Sequence, residues 1–344
     1  MVLYDATDVK RKASAILRIL SEARQPLGAR IIARQLEGQG ILLRERAVRY
    51  HLQQMDERGL TTSFGRDGRL ITPAGREELK NALVSDKVGF VISRIELLAF
   101  ATTFDTLKCC GQVPVNISFF SQERFGEAIE AMQIAFEKGL CVADKVAVAR
   151  EGERLGDAVV PQGKVGLATV CSITFNGTLL KSGVPMDSRF GGVLEMRDGK
   201  PLRFVELISY AGSSVDPSSI FIRGGMTSVR EAASRGTGKI LANFREIPAP
   251  CRPVAEAAIQ KLKEAGLGGL LFMGQPNEPV CEIPVGLNRV GVVLLGGLNP
   301  VAAAEEAGIH TENKAMSATM EYSVMRPFSE LAGMPPLRGR RNTN

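Results

Sequence analysis

With 344 residues, 44% of them hydrophobic and 23% charged, the chain is long enough for a small module plus one larger domain or two half-domains, and it is expected to be soluble and globular. No segment approaches ~18 uninterrupted apolar residues and charged residues come at once at the N-terminus, so neither a membrane span nor a signal peptide is expected and the cytoplasm is the expected location. The net charge of +6 is modest but uneven: residues 1 to 84 hold 15 Lys/Arg against 10 Asp/Glu, whereas residues 85 to 344 hold 28 against 27.

Val9, Ala13, Ile16, Leu17 and Leu20 mark a first amphipathic helix, and Ala29, Ile32, Ala33 and Leu36 a second, ended by Gly38 and Gly40. A third runs from Arg46 to Leu60. Its Val48, Leu52 and Met55 form an apolar seam, while Arg46, Arg49, Tyr50 and Gln53 share the other face and can reach phosphates and base edges. Arg44 stands at the helix start, where Ser, Thr, Asp or Asn would cap better; its guanidinium is available to a phosphate instead. Thr61 to Phe64 and Arg69 to Thr72 are expected to pair as strands around Asp67-Gly68, a dipeptide suited to a tight hairpin turn, with Arg66 and Arg69 flanking the tip. Thr72 as N-cap and Pro73 at the first helical position then open a helix to about Leu83.

Residues 1 to 84 therefore read as a winged helix-turn-helix DNA-binding domain with Arg44, Arg46, Arg49, Tyr50, Gln53, Arg66 and Arg69 as candidate DNA contacts. The basic excess sits there, and its small size suits a module that works as a dimer. A three-helix protein-interaction module is the alternative, but it needs neither the arginine-bearing face nor the basic wing.

From Ser85 the texture changes to apolar runs punctuated by glycine, as in KVGLATVCSITFNG, FGGVLEMRDG, RFVELISYAG and NRVGVVLLGG, all expected as strands. Helices are expected at Gln122 to Gly139 and Pro253 to Gly266. Residues 85 to 330 read as a mixed α/β (α+β) effector-sensing domain, and residues 331 to 344, ending PPLRGRRNTN, as a disordered basic tail. Neither GxGxxG opening a helix after the first strand nor GxxxxGK[ST] is present, which disfavours nucleotide-binding domains.

FIRGGMTSVREAASRG (221 to 236) is similar to LLGGLNPVAAAEEAG (294 to 308), which suggests two related halves, each with a strand meeting Gly-Gly and a helix. A competing alignment sets VPMDSRFGGVL against IPVGLNRVGVVL, with Arg189 opposite Arg289, and chance similarity of glycine-rich turns is the third reading.

In the first copy, Ser228 and Glu231 fit a capping box, so the amides after Gly224-Gly225 are expected to open toward an anion, with Thr227 beside them and Arg223 adding a forked donor. Close helix packing and a surface ion pair would explain the same residues. Arg189, and Arg289 after Asn288, suit carboxylate recognition beside flexible turns, although Arg189 paired with Asp187 or Asp216 would look alike. Cys171 and Cys281 lie in apolar, strand-like settings, as core residues or as lining of a pocket. The candidate effector set is thus Cys171, Arg189, Arg223, Gly224, Gly225, Thr227, Ser228, Asn288 and Arg289.

The six cysteines form no CxxC pair and are expected as reduced thiols. With His51 inside the third helix, only His310 remains for the larger region, so no metal site is expected. An enzyme built on Cys171 with His310 or a carboxylate as base has no recognisable triad signature here, and no catalytic residue is expected.

Taken together, RAVRYHLQQMDERGL with its wing, GKVGLATVCSITFNG, SGVPMDSRFGGVLEMRDGKPLRFVELISYAGSS, GGMTSV, GKILANFREIPA and PNEPVCEIPVGLNRVGVVLLGGLNPVAAAEEAGI resemble the NrpR family of nitrogen regulatory repressors over nearly the whole chain. That resemblance implies a winged helix followed by an NrpR regulatory domain. It further implies a homodimeric repressor on palindromic double-stranded operators of nitrogen-assimilation genes, released by 2-oxoglutarate as effector and needing no other cofactor. A winged-helix regulator answering another small anionic metabolite is the alternative.

Overall fold

The computed structural model describes residues 6–23, 25–38, 41–81 and 89–331. The chain divides into two compact units, Met1–Val88 and Gly89–Asn344. The expected tail beyond residue 331, Gly40 and the last turn of the helix drawn to Leu83 lie outside the described residues.

In the first unit, α1 (Ala6–Glu22), α2 (Ala29–Gly38) and α3 (Glu45–Glu57) pack around Ile16, Leu20, Ile32, Leu36, Val48, Leu52 and Met55, the apolar positions that helical periodicity singles out. The wing follows as β1 (Thr61–Ser63) and β2 (Arg69–Ile71), paired with Ser63 opposite Arg69. Its turn differs from the expected two-residue hairpin: Gly65–Asp67 form a 3-10 turn, and Phe64 N–H donates to the Gly68 carbonyl at 2.8 Å. The reason is a third partner. Leu27 bridges Arg69, and a Cβ on Gly68 (φ 115°) would collide with the Leu27 backbone, so Gly68 serves a close approach as well as a turn. Thr72 Oγ1 accepts from Gly75 N–H at 3.0 Å and caps α4 (Pro73–Asn81).

The second unit opens with α5 (Phe90–Ala101) and builds two five-stranded antiparallel sheets. One has the order β13-β3-β7-β4-β14, from β3 (Gln112–Ser121), β4 (Lys145–Arg150), β7 (Lys164–Val170), β13 (Thr311–Glu321) and β14 (Arg326–Pro327). The other has the order β11-β12-β10-β8-β9, from β8 (Asp187–Arg197), β9 (Lys200–Ser209), β10 (Gly238–Pro248), β11 (Leu270–Met273) and β12 (Arg289–Leu295). A small hairpin, β5 (Arg154–Leu155) with β6 (Ala158–Val159), precedes β7. Helices α6 (Phe125–Glu137), α7 (Ile173–Lys181), α8 (Pro217–Arg223), α9 (Val229–Arg235), α10 (Arg252–Glu264) and α11 (Asn299–Glu306) complete it around a large apolar core, beside a smaller cluster under α5.

Two related halves are present, but along neither expected alignment. The order β3-α6-β4-β7-α7-β8 recurs as β10-α10-β11-β12-α11-β13, and each half gives its last strand to the other's sheet: β8 lies beside β10, β13 beside β3. GLATVCSITFNGTLLKSG (166 to 183) thus corresponds to GVVLLGGLNPVAAAEEAG (291 to 308). FIRGG fails as a strand because Asp216 caps Ser219 N–H and starts a helix over Pro217–Arg223. SITFNG is likewise the beginning of α7, and Cys281 sits in a turn at φ 49° between the bridged Val280 and Ile283.

Candidate functional site

α3 presents Arg44, Arg46, Arg49, Tyr50 and Gln53 to solvent and buries Val48, His51, Leu52 and Met55. Arg44 is the N-cap in extended conformation without a side-chain cap bond. Arg44, Arg46 and Arg66 are exposed and carry no ion pair among the described residues, so their guanidinium groups are open to phosphate. Arg49 is held by Glu45 one turn earlier, and Gln53 donates to Glu57 at 3.2 Å. Arg69 differs. Its Nε donates to Asp56 at 2.7 Å, and Asp56 also accepts from the Thr61 hydroxyl, so Arg69 ties the wing to the end of α3. Arg69 is thus committed through Nε to an internal ion pair, unlike Arg44, Arg46 and Arg66.

The second unit contains a small pocket, open to solvent, where the two halves meet. Its walls include Cys171, Ser172 and Ile173 between β7 and α7, Gly297 and Leu298 between β12 and α11, and Asn116, Asn243 and Arg245 from the inner strands β3 and β10. The two turns are equivalents, and so are Asn116, opposite Thr169, and Asn243, opposite Leu294. The turns pack back to back: Thr169 Oγ1 donates to the Gly297 carbonyl at 2.9 Å, and a Cβ on Gly297 would lie 2.5 Å from Asn116 Nδ2.

Arg245 dominates the chemistry. It is 1% exposed, donates through Nη2 to the Ser172 hydroxyl at 2.9 Å and through Nη1 toward the Ser172 carbonyl at 3.4 Å, and leaves Nε unpartnered. Among the described residues no carboxylate lies within ion-pair distance of it. Burial disfavours its charged form, opposed by Tyr210 and Cys171 beside it. Ser172 Oγ also accepts from Asn243 Nδ2 at 3.1 Å. Tyr210 donates to Asn243 Oδ1. Half-buried Asp216 lies in the same wall; desolvation raises its pKa against the pull of the Ser219 and Ser218 hydrogen bonds. Burial pushes the Cys171 thiol up to about 11, so it is a neutral thiol near pH 7 and no nucleophile, and His310 is not among the lining residues.

Of the expected effector residues, only Cys171 lines this pocket. Arg189 pairs with Asp187 at 3.3 Å and lies 4.0 Å from buried Glu246. Arg223 is exposed at the end of α8, and the Gly224 and Gly225 amides are used by the Ile220 and Ile222 carbonyls, closing that helix. The expected anion-binding amides are also filled from within. Glu306 of α11 accepts from Thr227 Oγ1 and Val229 N–H, both at 2.7 Å, and from Arg230 N–H at 2.9 Å, while Ser228 Oγ accepts from Lys239 N–H. An internal carboxylate thus occupies the place expected for a ligand. Asn288 (φ 57°) and Arg289 form the turn into β12, held by the Asn277 side chain and the Gly286 carbonyl.

Sequence reasoning missed Ser172, Asn243, Asp216 and above all Arg245. The signal was available: GKILANFREIP reads as a strand apolar on both faces, and an arginine within it has no solvent to reach.

Residues 88–327 match the family described as NrpR regulatory domains NRD1 and 2, and residues 14–79 match the Ribonuclease R winged-helix domain. The chain is 40% identical over 318 residues to the global nitrogen regulator NrpRI of Methanosarcina mazei, covering 92% of this chain and 98% of that protein. It is 34% identical to the global nitrogen regulator NrpR of Methanococcus maripaludis, with 90% of this chain covered, and 33% identical to that of Methanocaldococcus jannaschii, with 94% covered. It spans 54% and 56% of the length of those two proteins. A crystal structure of a nitrogen repressor-like protein from Methanococcus jannaschii superposes with a TM-score of 0.59 at 28% identity, covering 69% of this chain and 98% of that one. The chain belongs to the NrpR family, with a winged helix followed by an NrpR regulatory domain.

Proposed function

We propose that this protein is a homodimeric transcriptional repressor that holds palindromic operators of nitrogen-assimilation genes and leaves them when 2-oxoglutarate fills the pocket around Arg245. The carrying observation is Arg245 itself, a buried cation without a carboxylate partner among the described residues. An uncompensated buried charge costs several kcal/mol, of order 3 or more, and a ligand carboxylate would offset it. The Ser172 hydroxyl supplies a second donor for a keto or carboxylate oxygen. The names of the relatives support the nitrogen-regulating role, and the exposed Arg44, Arg46 and Tyr50 support a DNA-facing α3.

Asp216 in the same wall favours one second reading: a ligand with an amino group beside its carboxylate, such as an amino acid. A thermal-shift panel separates the two, since a ligand that binds only the native state raises the melting temperature. Operator binding is then read by fluorescence anisotropy at one fixed salt concentration. Loss of specific binding on adding 2-oxoglutarate is the expected result; tight binding indifferent to 2-oxoglutarate overturns the effector, and no operator preference overturns the repressor.

A further inference from the structure

β13 and β8 are equivalent strands, yet they differ where they pass the pocket. In β8, Phe190, Gly191 and Gly192 pair in register with Phe244, Asn243 and Ala242, and a single-residue shift at Arg189 follows only between Phe244 and Arg245. In β13 the register jumps from Lys314 opposite Ile117 to Ala318 opposite Val115, so three residues stand where β8 has one. The bulge faces Asn116, the counterpart of Asn243, and Ala315 and Met316 within it line the pocket. Met316 is left-handed at φ 50°, a conformation that costs a non-glycine residue about 1 kcal/mol and persists only when its surroundings hold it.

The holders are few. Asn116 Oδ1 accepts from Met316 N–H at 3.0 Å. Arg94 of α5 donates through Nε to the Met316 carbonyl at 3.0 Å and through Nη2 to the Ser317 carbonyl. Both carbonyls belong to the looped-out stretch, and the guanidinium fork satisfies them together. The next residue, Ile95, lines the pocket, and Val91, Leu98 and Ala99 of the same helix cluster with Cys171, Ile173 and Tyr210. α5 is therefore packed on the pocket by apolar contact and pinned to it by one polar clamp. It is also the first described helix of the second unit, which begins at Gly89.

We propose that Arg94 is the positioning residue through which occupation of the pocket acts on α5, and through α5 on the winged helix. This rests on the effector reading above. A ligand that displaces Met316 or Ala315 changes the two carbonyls that Arg94 grips, and a bulge has discrete arrangements in place of a continuous range. Arg94 itself is not among the residues that line the pocket.

A purely structural Arg94 would alter stability, ligand affinity and operator affinity; a coupling Arg94 alters the response alone. Arg94→Gln in the full chain is measured by calorimetry for 2-oxoglutarate, by anisotropy for the operator, and by thermal unfolding. The expected result is a ligand Kd within about threefold of the parent and an unchanged unliganded operator affinity, with the 2-oxoglutarate concentration for half-release raised about tenfold or more. Half-release that moves only as far as Kd moves overturns the proposal. If Arg94→Gln does not fold, Arg94→Lys, which keeps the charge and loses the fork, is read on the same scales, and parental coupling there overturns it equally. Failure of the parent chain to bind 2-oxoglutarate is a separate result that removes the effector reading and this inference with it.

Discussion

Arg245 Nη2 donates to the Ser172 hydroxyl at 2.9 Å while its equally buried Nε finds no acceptor. The residue in the equivalent place of the other half is Ser118, whose hydroxyl is also buried without a partner. Among the described residues that line the pocket, Arg245 is the one Lys or Arg, so the duplicated arrangement carries this cation in one half and a serine in the other.

Replacing that cation separates binding from folding. Arg245→Met removes charge-assisted hydrogen bonds of about 1.5–3 kcal/mol, so 2-oxoglutarate affinity by calorimetry should fall about 10- to 100-fold or more. The melting temperature should hold or rise, because an uncompensated buried charge gives way to an apolar chain of similar length. Undiminished affinity in a folded Arg245→Met protein would remove the pocket from consideration.

Gly297 sits where the two turns touch, and a Cβ there would lie 2.6 Å from the Val170 carbonyl and 2.5 Å from Asn116 Nδ2. The first is backbone, and the second belongs to a buried side chain held through its Oδ1 by Met316 N–H. Gly297→Ala should cost about 1–3 kcal/mol in denaturant unfolding and weaken ligand binding. Stability within about 0.5 kcal/mol of the parent would show that the halves do not meet this closely.

Cys171 has its pKa raised by burial from 9.0 to about 11. Alkylation of Cys171 should be slow at pH 7–8 and climb until pH nears 11, lagging the half-buried Cys109 and Cys110. The sign for stability follows: above pH 9.0 the unfolded thiol ionises before the folded one, so this group withdraws stability as pH rises from about 9 to about 11. Mass spectrometry of labelled peptides checks the first statement, and Cys171 reacting as fast as Cys110 at pH 7 would contradict it.

On the DNA face, the ion pairs sort the arginines. Arg46→Ala should weaken operator binding and lower the salt slope by about one without changing stability. Arg69→Ala should instead cost about 1 kcal/mol of stability through the lost Asp56 partner and leave the salt slope unchanged. Glu45→Gln frees Arg49 and should tighten operator binding. Anisotropy at several salt concentrations reads all three, and a lowered slope for Arg69→Ala would return that residue to the interface.

The first unit was legible because helical periodicity and capping act locally: Val48, Leu52 and Met55 are buried, Tyr50 is exposed, and Thr72 caps α4. The wing turn was misjudged because Leu27, far along the chain, decides what Gly68 must do. The effector site was read from turns rich in glycine beside arginines, and there the fold had its own plans. Glu306 fills the amides of α9 and Asp187 pairs with Arg189. Arg245 carries no turn signature; its meaning lies in being buried, which depends on a sheet whose last strand comes from the other half.

The central claim is that one effector site and operator binding oppose each other, and linkage makes this measurable: if 2-oxoglutarate weakens operator binding by some factor, operator weakens 2-oxoglutarate binding by the same factor. Titration calorimetry of 2-oxoglutarate into the full chain, alone and saturated with operator duplex, tests it directly. A Kd raised by the same factor as the loss of operator affinity is the predicted result. The same Kd in both titrations would contradict the account.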